Sequence, residues 1–123
     1  MGTFAAAIEI GDPSGNRFET VEVLVDTGST YTWLPESLLS RVGVQPITTA
    51  EFETADGRVI GREMGQTWVR VDGRSVITLV VFAAEHLQPL LGAYTLEGLR
   101  LGVDPVNRRL VPVRGLAMGL GRG

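Results

Sequence analysis

The residues best placed to do chemistry are Asp26-Thr27-Gly28-Ser29-Thr30, which follow directly on the apolar run Val21-Glu22-Val23-Leu24-Val25. Such a run predicts a buried strand and sets Asp26 at or just past its end, where an ionised carboxylate loses much of its hydration. A carboxylate in that position must be paired, hydrogen-bonded or protonated. Gly28 permits the sharp backbone turn that a side chain would obstruct. Thr27 and Ser29 supply hydroxyls able to hold the carboxylate and the loop. Taken alone, Asp26 reads as a loop carboxylate satisfied by neighbouring amides. The elements around it decide whether it reads as more.

Those elements are mostly strands. Phe4 to Ile10 and Phe18 to Val25 flank the turn residues Gly11-Asp12-Pro13-Ser14-Gly15-Asn16. A short extended piece after the Asp26 loop ends at Leu34, and Pro35 to Arg41 reads as one or two helical turns with proline at an acceptable early position. Ile47 to Thr54 and Val59 to Val71 form a long hairpin around Asp56-Gly57, and Asp72-Gly73 turns the chain into Ser75 to Phe82. Leu90-Leu91-Gly92 precedes a short helix from Tyr94 to Leu99, with Leu96 and Leu99 on one face. Val103-Asp104-Pro105 and Leu110 to Val113 supply the last strands. Strand, Asp26 loop and helix from Pro35 are faintly echoed by strand, Leu90-Leu91-Gly92 and helix from Tyr94.

At 123 residues the chain is expected to be one domain, 1–123, with residues 114–123 a glycine-rich tail that is flexible or held at an interface. Sixteen glycines and little helical periodicity predict an all-β class. A net charge of -3 argues against nucleic acid, because phosphate binding needs a basic face and the eleven arginines are scattered. The absence of cysteine excludes disulfides, thiolate nucleophiles and cysteine-ligated zinc, and a single histidine, His86, excludes a multi-histidine metal site. No metal or cofactor is expected. The N-terminal segment lacks the basic start of a signal peptide, and the longest apolar run, Val76 to Ala84, is too short to span a bilayer, so a cytoplasmic protein without a membrane partner is expected. Trp33 and Trp68 read as core, and Asp12, Asp56, Asp72 and Asp104 read as turn residues.

In order along the chain, Val25-Asp26-Thr27-Gly28-Ser29, the Asp56-Gly57 hairpin and Leu90-Leu91-Gly92 before a short helix resemble a retropepsin-type aspartic protease. The stretch from Asp26 to Pro35, with its Trp33 and Pro35, is also similar to the first active-site loop of pepsin-like enzymes. The resemblance covers roughly Phe4 to Val113. It implies a small closed β-barrel with a flap hairpin and one or two short helices. It also implies an aspartic endopeptidase in which two carboxylates share a proton and activate one water. The chain has one Asp-Thr-Gly, so the resemblance implies a C2 homodimer with both Asp26 side chains at the axis, acting on an extended peptide. Thr27 would then brace the two loops across the dimer, Gly28 would let the loop approach substrate backbone, and the Ser29 hydroxyl would support the outer carboxylate oxygen. Leu91 and Gly92 would pack behind the loop, and the segment around Thr54, Ala55, Asp56, Gly57, Arg58 and Val59 would be the flap. An acidic to mildly acidic optimum follows from the shared proton.

The departures are local. The flap tip is polar rather than glycine-rich and apolar as in retroviral enzymes, and it lacks the flap tyrosine of pepsin-like ones. The tail after Val113 is glycine-rich where retroviral members end in an interleaving strand, which implies a differently built or weak dimer. These departures motivate an alternative: a catalytically inactive dimerisation or peptide-binding module on the same fold. A β-barrel binding an apolar ligand would leave Asp26 unexplained.

Overall fold

The computed structural model describes residues 3–114, and the expectation for the tail lies outside them apart from Arg114. Nine strands and two short helices make up this region: β1 (Phe4–Gly11), β2 (Phe18–Val25), β3 (Thr32–Pro35), α1 (Glu36–Arg41), β4 (Thr48–Glu53), β5 (Val59–Val71), β6 (Arg74–Ala83), β7 (Leu90–Leu91), α2 (Ala93–Leu99), β8 (Leu101–Asp104) and β9 (Arg109–Pro112). The fold is mostly β, as the composition predicts. Pro35 ends β3 and precedes α1 rather than opening it, and α2 begins one residue earlier than the pattern suggests.

The β1–β2 hairpin is closed by Asp12, whose Oδ1 accepts the amides of Asn16 and Arg17 at 2.7 and 2.9 Å. Its register sets Phe4 opposite Val25 and Ile8 opposite Val21, so alternate residues of both strands reach the core. The β5–β6 turn has Asp72 and Gly73 at φ 50° and 79°, the left-handed pair that a two-residue hairpin needs. Strand β5 is long because it serves three partners: its first half pairs β4, its second half pairs β6, and Val69–Arg70 also pair β1.

Strand pairing runs β1-β2-β7-β3-β6-β5 and returns to β1, so six strands close a ring with β4 attached to β5. Ile8, Ile10, Val23, Leu34, Leu39, Val69, Val80, Leu91 and Leu99 are fully buried. Each side chain of this size contributes about 1.5–3 kcal/mol on burial. On one side the ring is fastened by Arg70, which is bidentate to Glu9 at 2.9 and 3.0 Å and sits 3.8 Å over the Phe18 ring. No side chain of its own caps α1; Glu85 does so from 48 residues away, accepting from the Ser37 amide at 2.9 Å and the Ser37 hydroxyl at 2.6 Å.

The ring's order carries the functional consequence. Strand β7 lies between β2 and β3, parallel to the first and antiparallel to the second. The loop joining β2 to β3 therefore crosses the end of β7, and the two echoing segments of the sequence lie side by side, Val25 next to Leu91.

Candidate active site

Asp26 is half-buried at the end of β2. Its amide donates to the Leu91 carbonyl oxygen at 3.0 Å, and its own carbonyl accepts the Ser29 amide at 3.1 Å. The carboxylate Oδ1 accepts the Gly28 amide at 3.0 Å. A Cβ at position 28 would lie 3.2 Å from the same oxygen, so a larger residue there would press on the carboxylate. Among the described residues no donor reaches the second carboxylate oxygen. Thr27, Gly28 and Thr30 are exposed. The Ser29 hydroxyl donates to the Tyr31 carbonyl at 2.8 Å and makes no bond to Asp26, so in the single chain it braces the loop and not the carboxylate.

Behind the loop, Leu91 is fully buried and Gly92 is in direct contact with loop backbone. A Cβ on Gly92 would fall 2.3 Å from the Tyr31 oxygen and 2.8 Å from the Ser29 oxygen. The first amides of α2, which have no partner within a helix, are taken by the loop: Ala93 donates to the Ser29 carbonyl at 2.8 Å and Tyr94 to the Thr30 carbonyl at 2.9 Å. Three buried threonines complete the support. The Gly92 amide donates to Thr32 Oγ1 at 3.1 Å, which lies 2.6 Å from Thr95 Oγ1, which lies 3.0 Å from Thr78 Oγ1. Sequence reasoning missed all three. The available signal was a hydroxyl amid aliphatic strand residues, as in Val76-Ile77-Thr78-Leu79-Val80.

A cleft of about 360 Å³ opens beside the loop, with Gly28 to Tyr31 and Trp33 on one side and Glu51 to Glu53 of β4 on the other. Trp33 is thus a half-exposed wall and not the core residue expected. The Phe52 ring meets Trp33 at 4.9 Å and Tyr31 at 6.2 Å, both edge-on, tying the hairpin strand to the loop. The tip residues Thr54 to Val59 stand beyond this cleft and do not line it. They form a self-contained turn: Thr54 donates its amide to the Arg58 carbonyl at 2.8 Å, and Arg58 returns its amide to Thr54 Oγ1 at 3.1 Å. Asp56 accepts from the Thr54 hydroxyl and from Arg58 Nε, the latter at 3.1 Å. The Thr54 hydroxyl first, and Arg58 after it, hold the Asp56 carboxyl below the usual range.

The remaining aspartates serve turns or ion pairs. Asp104 Oδ1 accepts the amides of Val106 and Asn107 at 3.1 and 3.2 Å, and Asp12 closes its hairpin. His86 is exposed, and among the described residues no three His, Cys, Asp or Glu side chains are gathered as metal ligands would be. Among the same residues no helix is long and apolar enough to cross a membrane.

An Asp-Thr-Gly turn, held at its aspartate by a strand that runs into the close-packed Gly92, stands here on a retropepsin-like fold. The chain belongs to the aspartyl protease family, whose sequence model matches residues 7–103. Among solved structures it is similar to the simian foamy virus (mac) protease, known in solution. That likeness has 23% identity and a TM-score of 0.54, and covers 76% of this chain and 92% of that one. At this identity the likeness is one of fold. No curated protein matches the sequence significantly.

Proposed function

We propose that the chain is an aspartic endopeptidase that works as a homodimer, with two Asp26 carboxylates facing each other across a two-fold axis. The observation that carries the reading is the Asp26 turn itself. Its backbone is fixed to Leu91, one carboxylate oxygen is engaged by Gly28, and a cleft walled by Trp33 and Phe52 together with Ser29, Thr30, Glu51 and Glu53 opens alongside. Two carboxylates at close range cannot both ionise cheaply, so the pair holds one proton. The ionised member takes a proton from a water lodged between the two, the water oxygen attacks the peptide carbonyl carbon, and the departing nitrogen is protonated by the pair. Thr27, exposed beside Asp26, would brace one loop against its twin. The cleft would take side chains of an extended peptide, and the Thr54–Val59 tip would close over it and exclude water.

One observation favours the alternative of an inactive peptide-binding module: each chain brings a single acid of this kind, so an isolated chain has no pair. Replacing Asp26 by asparagine separates the readings. Proteolysis should fall by about 10²–10⁴-fold, the range of general acid–base contributions, with an unchanged circular dichroism spectrum. Cleavage surviving that substitution would refute the proposal.

A further inference from the structure

The three buried threonines lie where only aliphatic packing would be needed for stability. Thr32 on β3 and Thr95 on α2 are wholly inaccessible, and Thr78 on β6 is 3% exposed. Valine has nearly the same shape and no hydroxyl to desolvate, so a filler role does not explain three hydroxyls meeting at one point. What they do is tie α2 through side-chain hydroxyls to β3 and β6, two strands already paired to each other along their backbones. They are also fully satisfied: among the described residues no buried side-chain nitrogen or oxygen lacks a partner.

The chain of hydroxyls ends on the Gly92 amide. The next two amides, of Ala93 and Tyr94, carry the Ser29 and Thr30 carbonyls, and the carbonyl just before it, of Leu91, holds the Asp26 amide. Every hydrogen bond between the Asp26 loop and the segment behind it thus lies within two residues of the atom that the threonines grip. We infer that Thr95 is a positioning residue: bonded to Thr32 and Thr78 together, it fixes the N-terminus of α2, and through it the place of the Asp26 loop relative to the ring. The functional half of this inference rests on the protease reading; the structural half does not.

Thr95→Val keeps the shape and removes the hydroxyl, while Thr95→Ser keeps the hydroxyl. Amide hydrogen exchange by NMR on the full chain reads the loop directly. In Thr95→Val the amides of Asp26, Gly92, Ala93 and Tyr94 should exchange about tenfold faster or more, those of the β1–β2 ladder should not change, and Thr95→Ser should match the wild type. If Thr95→Val does not fold, Thr78→Val, which removes only the outer bond, is read at the same four amides. On a fluorogenic peptide that the wild type cleaves and Asp26→Asn does not, kcat of Thr95→Val should drop about tenfold with KM unchanged, and serine should restore it. Unchanged exchange at the four amides, a uniform loss across the chain, or an unchanged kcat would overturn the inference. A wild type that cleaves nothing would overturn the protease reading, and the exchange pattern would still decide whether Thr95 fixes the loop.

Discussion

The amide of Asp26 donates to the carbonyl oxygen of Leu91, 3.0 Å away and 65 positions later in the chain. The bond continues the parallel β2–β7 pairing by one step, past Val25 opposite Leu91. The carboxylate therefore stands on the last fixed backbone atom of the ring, and its freedom begins only at the side chain. In the proposed dimer, a group held this way would meet its twin with little misplacement, and misplacement of reacting groups is costly in rate.

Dependence on a second chain should be visible in solution. Specific activity is expected to fall on dilution as the dimer dissociates. Adding excess Asp26→Asn protein to a fixed amount of wild type should suppress cleavage, because mixed dimers carry one acid. Activity linear in protein concentration and indifferent to the variant would mean that a single chain suffices.

Gly92→Ala tests the support behind the loop. The added methyl would meet the Tyr31 and Ser29 carbonyls, which are backbone and cannot swing aside. Urea denaturation should show a loss of about 1–3 kcal/mol or more, the usual cost of overpacking. Asp26 should then be displaced, and cleavage should fall further than stability alone explains. A variant as stable and active as the wild type would contradict the packing described.

Phe52 links the hairpin to the loop through rings on Trp33 and Tyr31. Each aromatic pair is worth about 0.5–1.5 kcal/mol beyond area burial, so Phe52→Ala should cost about 1–3 kcal/mol from the two pairs, with the lost burial in addition. KM for an extended peptide should rise more than kcat falls, because the cleft wall is lost and the acid is untouched. An effect confined to kcat would place Phe52 nearer the chemistry than the structure does.

Asp56 sets a pH dependence at the tip of the β4–β5 hairpin. Its carboxyl is held below the usual range in the folded state by the Thr54 hydroxyl first and then by Arg58. The turn's stabilisation is therefore present above the ordinary aspartate range and is lost as pH falls through the lowered folded value. An NMR titration should find Asp56 below an unstructured reference, and Thr54→Val should move it back toward that reference. A midpoint unmoved by Thr54→Val would assign the effect to Arg58 instead.

Much of this was legible in the sequence, for physical reasons that differ by element. The strands announce themselves through runs such as Val21 to Val25 and through Asp72-Gly73, whose left-handed pair admits few other residues. Asp26-Thr27-Gly28 is readable because a carboxylate after a buried strand needs a turn to serve it, and the Gly28 amide does so. Thr32, Thr78 and Thr95 were not legible: threonine is ordinary in strands such as those of Thr32 and Thr78, and the contacts with Thr95 on α2 join positions 63 and 17 residues apart. The capping of α1 by Glu85 is hidden in the same way. Trp33 reads as core because a large indole usually packs with its N–H satisfied locally, and only the approach of β4 makes it a cleft wall.

The central claim is the pairing of two Asp26 carboxylates, and a crystal structure of the chain bound to a non-cleavable extended peptide tests it most directly. The account predicts a two-fold axis between the Asp26 loops, with the carboxylates nearly coplanar and close enough to share one proton and one water beneath the peptide. A monomer, or a dimer joined elsewhere with its two Asp26 side chains out of hydrogen-bonding reach, would contradict it.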